Sequence, residues 1–213
     1  MRPATEESGR FPRAVIKFDL EALLASGEPV VLELGCGTAT HPGRVGIDRL
    51  DMPGVDIVAD LNERLAFLPD SSVDAIHSRS LFEHLTEFDS LMREIVRVLK
   101  PGGRCHVFVP HFSNPYYYSD PTHVRFFGLY TFYYYVPKER QLRRTVPTFY
   151  SDTKIEIHRV RLKFSSPFRV VRFFRKLVTA LVNSSSFFQE WYEGSFTGIV
   201  PCYGIDIEFG PIK

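Results

Sequence analysis

The stretch Val30-Val-Leu-Glu-Leu-Gly-Cys-Gly-Thr38 decides the fold. Its first residues are apolar except Glu33, the profile of a short strand buried on both faces of a parallel sheet. Gly35 and Gly37 follow at once. Glycine there lets the backbone turn through positive φ and lets a ligand approach with no Cβ in the way. A Gly-x-Gly pair alone occurs in many turns. Here it is followed by a second apolar run, Val45 to Asp48, which ends in an acid able to accept hydrogen bonds from both hydroxyls of a ribose.

Working outward, further short runs with β-branched content lie at Val55 to Ala59, Val73 to Ser78 and Cys105 to Pro110. Between the last two, Phe88 to Lys100 has the apolar spacing of a helix lying on a sheet, and Pro101-Gly102-Gly103 is expected to end it. Phe18 to Ser26 reads as a short helix before the first strand. Lys154 to Phe164 alternates as a strand, but its apolar phase shifts near His158 and Arg159, which predicts a bulge. Phe168 to Val182 fits a helix with apolar Val170, Val171, Phe174, Leu177, Val178 and Leu181, and basic Arg169, Arg172 and Lys176 on another face. Its apolar face is expected to pack on the sheet or on a second subunit. Tyr203 to Phe209 supplies a last strand. These elements predict an α/β chain with a Rossmann-like, seven-stranded, mostly parallel sheet, helices on both faces and an antiparallel final strand. Three regions are expected in one domain: 1–28 around the first helix, 29–112 as the cofactor-binding core, and 113–213 as acceptor-binding elaborations and the last strands.

From Val30 to Phe112 the chain resembles the class I S-adenosylmethionine-dependent methyltransferases, in the branch of the type 11 domain that acts on small molecules and glycans. The resemblance rests on five stretches in order: Val30 to Thr38, Gly46-Ile-Asp48, Val55-Asp-Ile-Val-Ala-Asp-Leu61, Phe82-Glu-His-Leu85 and Leu99-Lys-Pro-Gly-Gly103. It implies S-adenosylmethionine as cofactor, with S-adenosylhomocysteine as product. It also implies that Gly35, Cys36 and Gly37 pass under the methionine and ribose, with Glu33 ordering that site and Asp48 holding the ribose diol. Asp60 and the backbone of Leu61 would address the adenine, and Arg79 and Ser80 the methionyl amine. Asp74 reads as turn chemistry, and Glu83 and His84 as a loop-helix junction. Seven residues, Thr38 to Arg44, separate the first motif from the second strand, too few for the usual crossover helix, so the pocket is expected to be open on that side. A dinucleotide oxidoreductase would need a third glycine and a helix where Pro42 and Gly43 stand.

An alcohol acceptor must lose a proton, so a base is expected after the fifth strand. His111 and His123 are the candidates, with Asp120 orienting a histidine and Arg125 pairing with an anionic group. Tyr116, Tyr117 and Tyr118 are expected to line the acceptor pocket, since tyrosine joins apolar area to a polar end. His111, Asp120 and His123 are of metal-ligand type but lack a recognisable spacing, so no metal centre is expected. The acceptor class read from the resemblance is a sugar, glycan intermediate or other specialised metabolite; an RNA methyltransferase and a non-catalytic scaffold are the alternatives.

The 213 residues carry a net charge of +1, yet residues 138–176 hold twelve Lys/Arg against Glu139, Asp152 and Glu156, +9 against −8 for the remainder. Such a segment points to phosphate, whether on a substrate, a lipid surface or a nucleic acid, and suits a phosphate-bearing or lipid-linked acceptor. With no nucleic-acid module and near-zero net charge, nucleic acid is not the expected partner. Cys36, Cys105 and Cys202 are too few and scattered for a disulfide framework, which fits a reducing cytoplasm. Met1 to Arg13 lacks the apolar stretch of a signal peptide. The expected location is cytoplasmic, with a peripheral position at the inner membrane surface and a homodimer as further readings.

Overall fold

The computed structural model describes residues 14–39 and 41–213; Met1 to Arg13 and Thr40 lie outside the described residues. Among the described residues eight strands form one sheet: β1 (Val15–Ile16), β2 (Val31–Leu34), β3 (Val45–Asp48), β4 (Ile57–Val58), β5 (Val73–Arg79), β6 (Leu99–Pro110), β7 (Ile155–Lys163) and β8 (Gly204–Pro211). Their order is β1-β4-β3-β2-β5-β6-β8-β7. The run from β4 to β6 is parallel, while β8 pairs antiparallel with both β6 and β7. The expected seven strands are present, and a two-residue strand, β1, adds an antiparallel edge to β4. The predicted bulge falls in place: the register against β8 shifts between Ile157 and Arg159, so His158 is the extra residue.

Four α-helices of the described residues accompany the sheet: α1 (Leu20–Ala25), α2 (Phe88–Val98), α3 (Arg169–Val182) and α4 (Ser186–Ser195). Asp19 caps α1, its carboxylate accepting the Ala22 N–H at 2.9 Å. Among the described residues α2 is the one helix that joins two parallel strands. The other crossovers are turns, because they are short and interrupted by Pro42-Gly43, Pro53-Gly54 and Pro69. The shortage of flanking helices has a visible result. An open cavity of about 550 Å³, lined by Phe18, Leu23, Pro29, Val31, Arg44 and Val45, lies beside β2 and β3, the side expected to be open.

Helix α2 shows why these residues fold as they do. Phe88, Leu91, Met92, Ile95 and Val98 share one stripe and are all buried, each contributing roughly 1.5 to 3 kcal/mol relative to exposure. The helix ends because Leu99 is already extended, at ψ 137°. Pro101-Gly102-Gly103 lies within β6 rather than after the helix, as an irregularity taken up by Gly102 at φ +81°. Asp74 is structural, as expected, accepting the Val30 N–H at 2.8 Å and pairing with Lys100 at 2.7 Å.

Helix α3 departs from expectation. Val178 and Val182 face the core, and Asn183 clips the helix end to β7 through two 2.8 Å bonds to the Leu162 backbone. Val170, Phe173, Phe174, Leu177 and Leu181, which share one stripe, are 56% to 72% exposed. The apolar face therefore points away from the sheet.

One acidic side chain holds the underside of the connection from β4 to β5. Glu94 is buried and accepts the Leu65 N–H at 2.9 Å and the Arg97 guanidinium at 2.7 Å, while Arg97 also reaches the Leu65 and Leu68 carbonyls. Burial raises the carboxyl's pKa, but the Arg97 and Leu65 bonds outweigh this and hold it below its ordinary 4.5. A depressed folded-state pKa means that the contribution is fully present above the unfolded value and lost as pH falls through the folded one. Glu94→Ala, which leaves the Leu65 N–H and Arg97 without their acceptor, is expected to cost about 3 kcal/mol in urea unfolding at pH 7. The difference from the parent should narrow below about pH 4.

Candidate functional site

The candidate site forms where β2, β3 and β4 end. Leaving β2, the chain turns through Gly35 at φ +68° and Gly37 at φ +55°. With no helix following, the amides of the turn find partners on β3: Gly35 N–H donates to the Ile47 carbonyl at 2.8 Å and Gly37 N–H to Asp48 Oδ2 at 2.9 Å. A Cβ on Gly35 would stand 3.0 Å from two carbons of Leu81, so this backbone can lie against the cavity wall only as glycine. Cys36 is buried with its sulfur over Gly46, and burial pushes its thiol up to about 11. A thiol so placed is a packing group and no nucleophile at neutral pH.

A cavity of about 280 Å³ opens between this turn and the loops after β4 and β5. Of the residues expected at a cofactor, Gly35, Asp48, Asp60, Leu61 and Ser80 line it. Asp48 Oδ1 accepts the Leu50 N–H at 3.1 Å, so each carboxylate oxygen has one donor and keeps acceptor capacity. Asp60 braces its own turn by accepting from Asn62 N and Nδ2 at 2.9 and 3.1 Å. Asn62 Oδ1 in turn accepts the N–H groups of Thr86 and Glu87 at 3.0 and 3.1 Å, closing one wall of the cavity against the start of α2. Ser80 holds the uncommon φ of +53°, a strained setting of the kind that clusters at ligand sites.

Glu33, Cys36, Gly37 and Arg79 do not line this cavity. Glu33 is bonded to Arg44, with His41 at 3.9 Å, and borders a separate hollow of about 310 Å³. Arg79 lies over the Phe108 ring at 4.6 Å.

The far wall is built by two motifs distant in sequence. The Val124 N–H donates to the Glu83 carbonyl at 2.8 Å, docking the loop Asp120-Pro-Thr-His123 onto the turn Phe82-Glu-His-Leu85. His84 and Thr122 thereby face the cavity together. Behind them, His123 Nδ1 is 2.9 Å from the Tyr117 carbonyl and its Nε2 is 3.6 Å from Asp120 Oδ2. Hydrogen bonds from Thr122, first the hydroxyl and then the N–H, hold the exposed Asp120 carboxyl below its ordinary range. Burial pushes Glu83 up to about 7. Burial, then the charge of His123, lowers the pKa of His84.

The remaining predicted residues stand elsewhere. His111 is fully buried, between Ser113 Oγ at 2.8 Å and Glu193 Oε2 at 2.9 Å, and does not reach the cavity. Arg125 is bound to the carbonyls of Leu85 and Thr86 and lies over Phe88, a clip between loops without an anionic partner. Tyr117 is buried, donating its hydroxyl to the Arg125 carbonyl at 2.7 Å. Tyr118 donates to the Phe112 carbonyl, and Tyr116 borders a separate hollow of about 160 Å³ beside Phe168 and Arg175. His84, Thr122 and Asn62 are cavity residues that the sequence did not single out as ligand contacts. For His84 the signal was its place in Phe82-Glu-His-Leu85, and for Thr122 its place one residue before His123.

Residues 48–107 match the methyltransferase domain family. No curated protein matches the chain. A methyltransferase of Archaeoglobus fulgidus, described as S-adenosylmethionine-dependent, is similar in structure at 17% identity and a TM-score of 0.51, covering 86% of each chain. The YcgJ protein of Bacillus subtilis is similar at 17% identity and a TM-score of 0.50, covering 91% of this chain and 97% of that one. The match runs from Asp48 through β4 and β5 into β6, and the sheet runs parallel up to β6 and antiparallel after it. Residues 48–107 thus resemble a methyltransferase domain, and the chain has the Rossmann-like fold seen in an S-adenosylmethionine-dependent methyltransferase.

Proposed function

We propose that this protein transfers a methyl group from S-adenosylmethionine to an oxygen of a small acceptor, a sugar, a glycan intermediate or another specialised metabolite. The observation that carries the reading is the single cavity in which the glycine turn and Asp48 face His84 and Thr122. Its near wall fits the donor: bare backbone at Gly35, an acid at Asp48 with acceptor capacity left for a ribose diol, and Asp60 with Leu61 for the adenine. Ser80 would meet the methionyl end. Glu33, through Arg44, and Gly37, through Asp48, would hold the turn in place.

S-adenosylmethionine, when bound, supplies a methyl already activated by the sulfonium, whose C–S bond breaks with its electron pair going to sulfur as the C–O bond forms. The protein's part is alignment in a water-poor crevice, an effect worth up to about 7 to 11 kcal/mol. The hydroxyl proton would pass to His123 Nε2, on a ring that the Tyr117 carbonyl orients through Nδ1–H and whose charge Asp120 would stabilise. His111, held by Glu193, would act by position, fixing the chain where it leaves β6. Tyr118 is the exposed tyrosine best placed to meet an acceptor ring, since Tyr117 is buried and Tyr116 faces another hollow.

The same reading sets the enzyme on an anionic membrane surface, where a phosphate-bearing, lipid-linked acceptor would be presented. Among the described residues no helix is long and apolar enough to cross a membrane. Helix α3 instead has the features of an interfacial one: an outward apolar stripe, Arg169, Arg172 and Lys176 beside it, and no acidic residue. Two copies paired through this stripe would bring like charges together, which favours lipid over a homodimer.

Calorimetric titration should show S-adenosylmethionine binding, and Asp48→Ala should weaken it by about 1 to 3 kcal/mol. Unchanged affinity would remove Asp48 from the donor site. For the membrane, sedimentation with phosphatidylglycerol vesicles should carry the protein down, phosphatidylcholine vesicles should not, and the double change Phe174→Asp and Leu177→Asp should abolish the association. A dimer that these changes dissociate, with no vesicle binding by the parent, would show α3 to be a subunit interface.

A further inference from the structure

The docking of the Phe82-Glu-His-Leu85 turn against the Asp120-Pro-Thr-His123 loop leaves one group without an explanation inside the protein. Glu83 is 1% exposed, and its Oε2 has no hydrogen-bond partner among the described residues. A buried carboxylate oxygen without a donor is costly, and such a group in a folded protein points to something that binds it.

The side chains around it are two imidazoles. Glu83, His84 and His123 each offer a ligating atom, and the three lie within 4.8 Å of one another. The neighbours of both rings fix their tautomers. His123 Nδ1 faces the Tyr117 carbonyl, which can only accept, so that nitrogen carries the hydrogen and Nε2 keeps a lone pair. His84 Nδ1 is 2.9 Å from Thr122 Oγ1 and 3.3 Å from the Thr122 carbonyl. Thr122 gives its hydroxyl hydrogen to Asp120 Oδ1 at 2.6 Å, so it accepts from His84 Nδ1–H and leaves the other ring nitrogen free. A ring N–H held by a carbonyl or hydroxyl is the support that metal-binding histidines ordinarily have. Each ring thus keeps one nitrogen with a lone pair, next to a buried carboxylate oxygen that has no donor among the described residues.

We propose that Glu83, His84 and His123 bind a divalent transition-metal ion of the Zn²⁺, Mn²⁺ or Fe²⁺ class at the wall of the cavity. Two imidazoles and a carboxylate with no thiolate suit these ions and leave coordination positions open. The three ligating atoms already lie within 4.8 Å of one another, so side-chain adjustment is enough to bring them to the roughly 2.0 to 2.2 Å that such an ion requires. Asp120 Oδ2, 3.6 Å from His123 Nε2, is near enough to add a fourth ligand or to take a proton. This set differs from the one the sequence made thinkable: His111 is held by Ser113 and Glu193 and takes no part.

His84 lines the cavity, so an open position on the ion faces the place assigned to the acceptor. This second step rests on the methyl-transfer reading; ion binding itself does not. There the ion would hold an acceptor hydroxyl and make it more acidic. With His123 on the ion, the proton would go to Asp120, the oxygen would bond to the methyl carbon, and the C–S pair would return to sulfur.

The test is a titration of chelator-treated protein with Co²⁺, followed by visible d–d absorption, and with Zn²⁺ by calorimetry. One saturable site is expected, weakened at least about tenfold in Glu83→Gln and in His123→Ala, with His106→Ala as an unaffected control. Thermal melts identify a variant that fails to fold, and the half-exposed His84→Ala then replaces it. Absence of a saturable Co²⁺ band in the parent, or equal affinity in the folded variants, overturns the site. S-adenosylmethionine titration of the same samples separates the two readings. Ion binding without donor binding sinks methyl transfer and leaves the ion site standing, and donor binding without ion binding does the reverse.

Discussion

The hydrogen bond from the Gly37 N–H to Asp48 is the constraint on which the rest of the site depends. A glycine turn after a buried strand exposes amides that, in most nucleotide-binding α/β folds, open a helix. Only ten residues join β2 to β3 here, and Pro42-Gly43 interrupts them, so no helix can take those amides up. They bond sideways to β3 instead, one to a carbonyl and one to the carboxylate. Asp48 is thereby a structural acceptor and a cavity residue at once. The turn's position against Leu81 is set by a neighbouring strand rather than by a helix.

From that pinned turn the other walls follow by short links. Asp60 braces Asn62, Asn62 reaches the start of α2, and Glu83 at the turn before α2 receives the 120–125 loop. The first two links join main chain to side chain and the third joins main chain to main chain, which satisfies irregular backbone where no regular ladder exists. The cavity is accordingly framed by loops, and the sheet serves to hold their ends.

The elements were legible where periodicity and turn chemistry agreed. The strand Val45–Asp48, the burial of α2 along one stripe and the bulge at His158 stand where the sequence places them. What was hidden is long-range. Nothing local to Thr122 or His84 says that they meet, because the contact joins residues 38 apart through loops without period. His111 looked like a site residue by its place after β6, yet Glu193 on α4, a helix the sequence reading did not identify, takes its ring into the interior. Helix α3 was read correctly as amphipathic. Which way the stripe faces was decided by Asn183 gripping Leu162, a contact that no helical wheel contains.

The strand order has a consequence for how the chain comes together during synthesis. β8 follows β7 along the chain but lies between β6 and β7. Until residues 204–211 emerge, the growing sheet ends at β6 with an unpaired edge and β7 has no neighbour to bond. Open edges of this kind invite pairing with other nascent chains. The interval between translation of β7 and of β8 is filled by α3 and α4, so the sheet closes only when the last strand inserts between two that precede it.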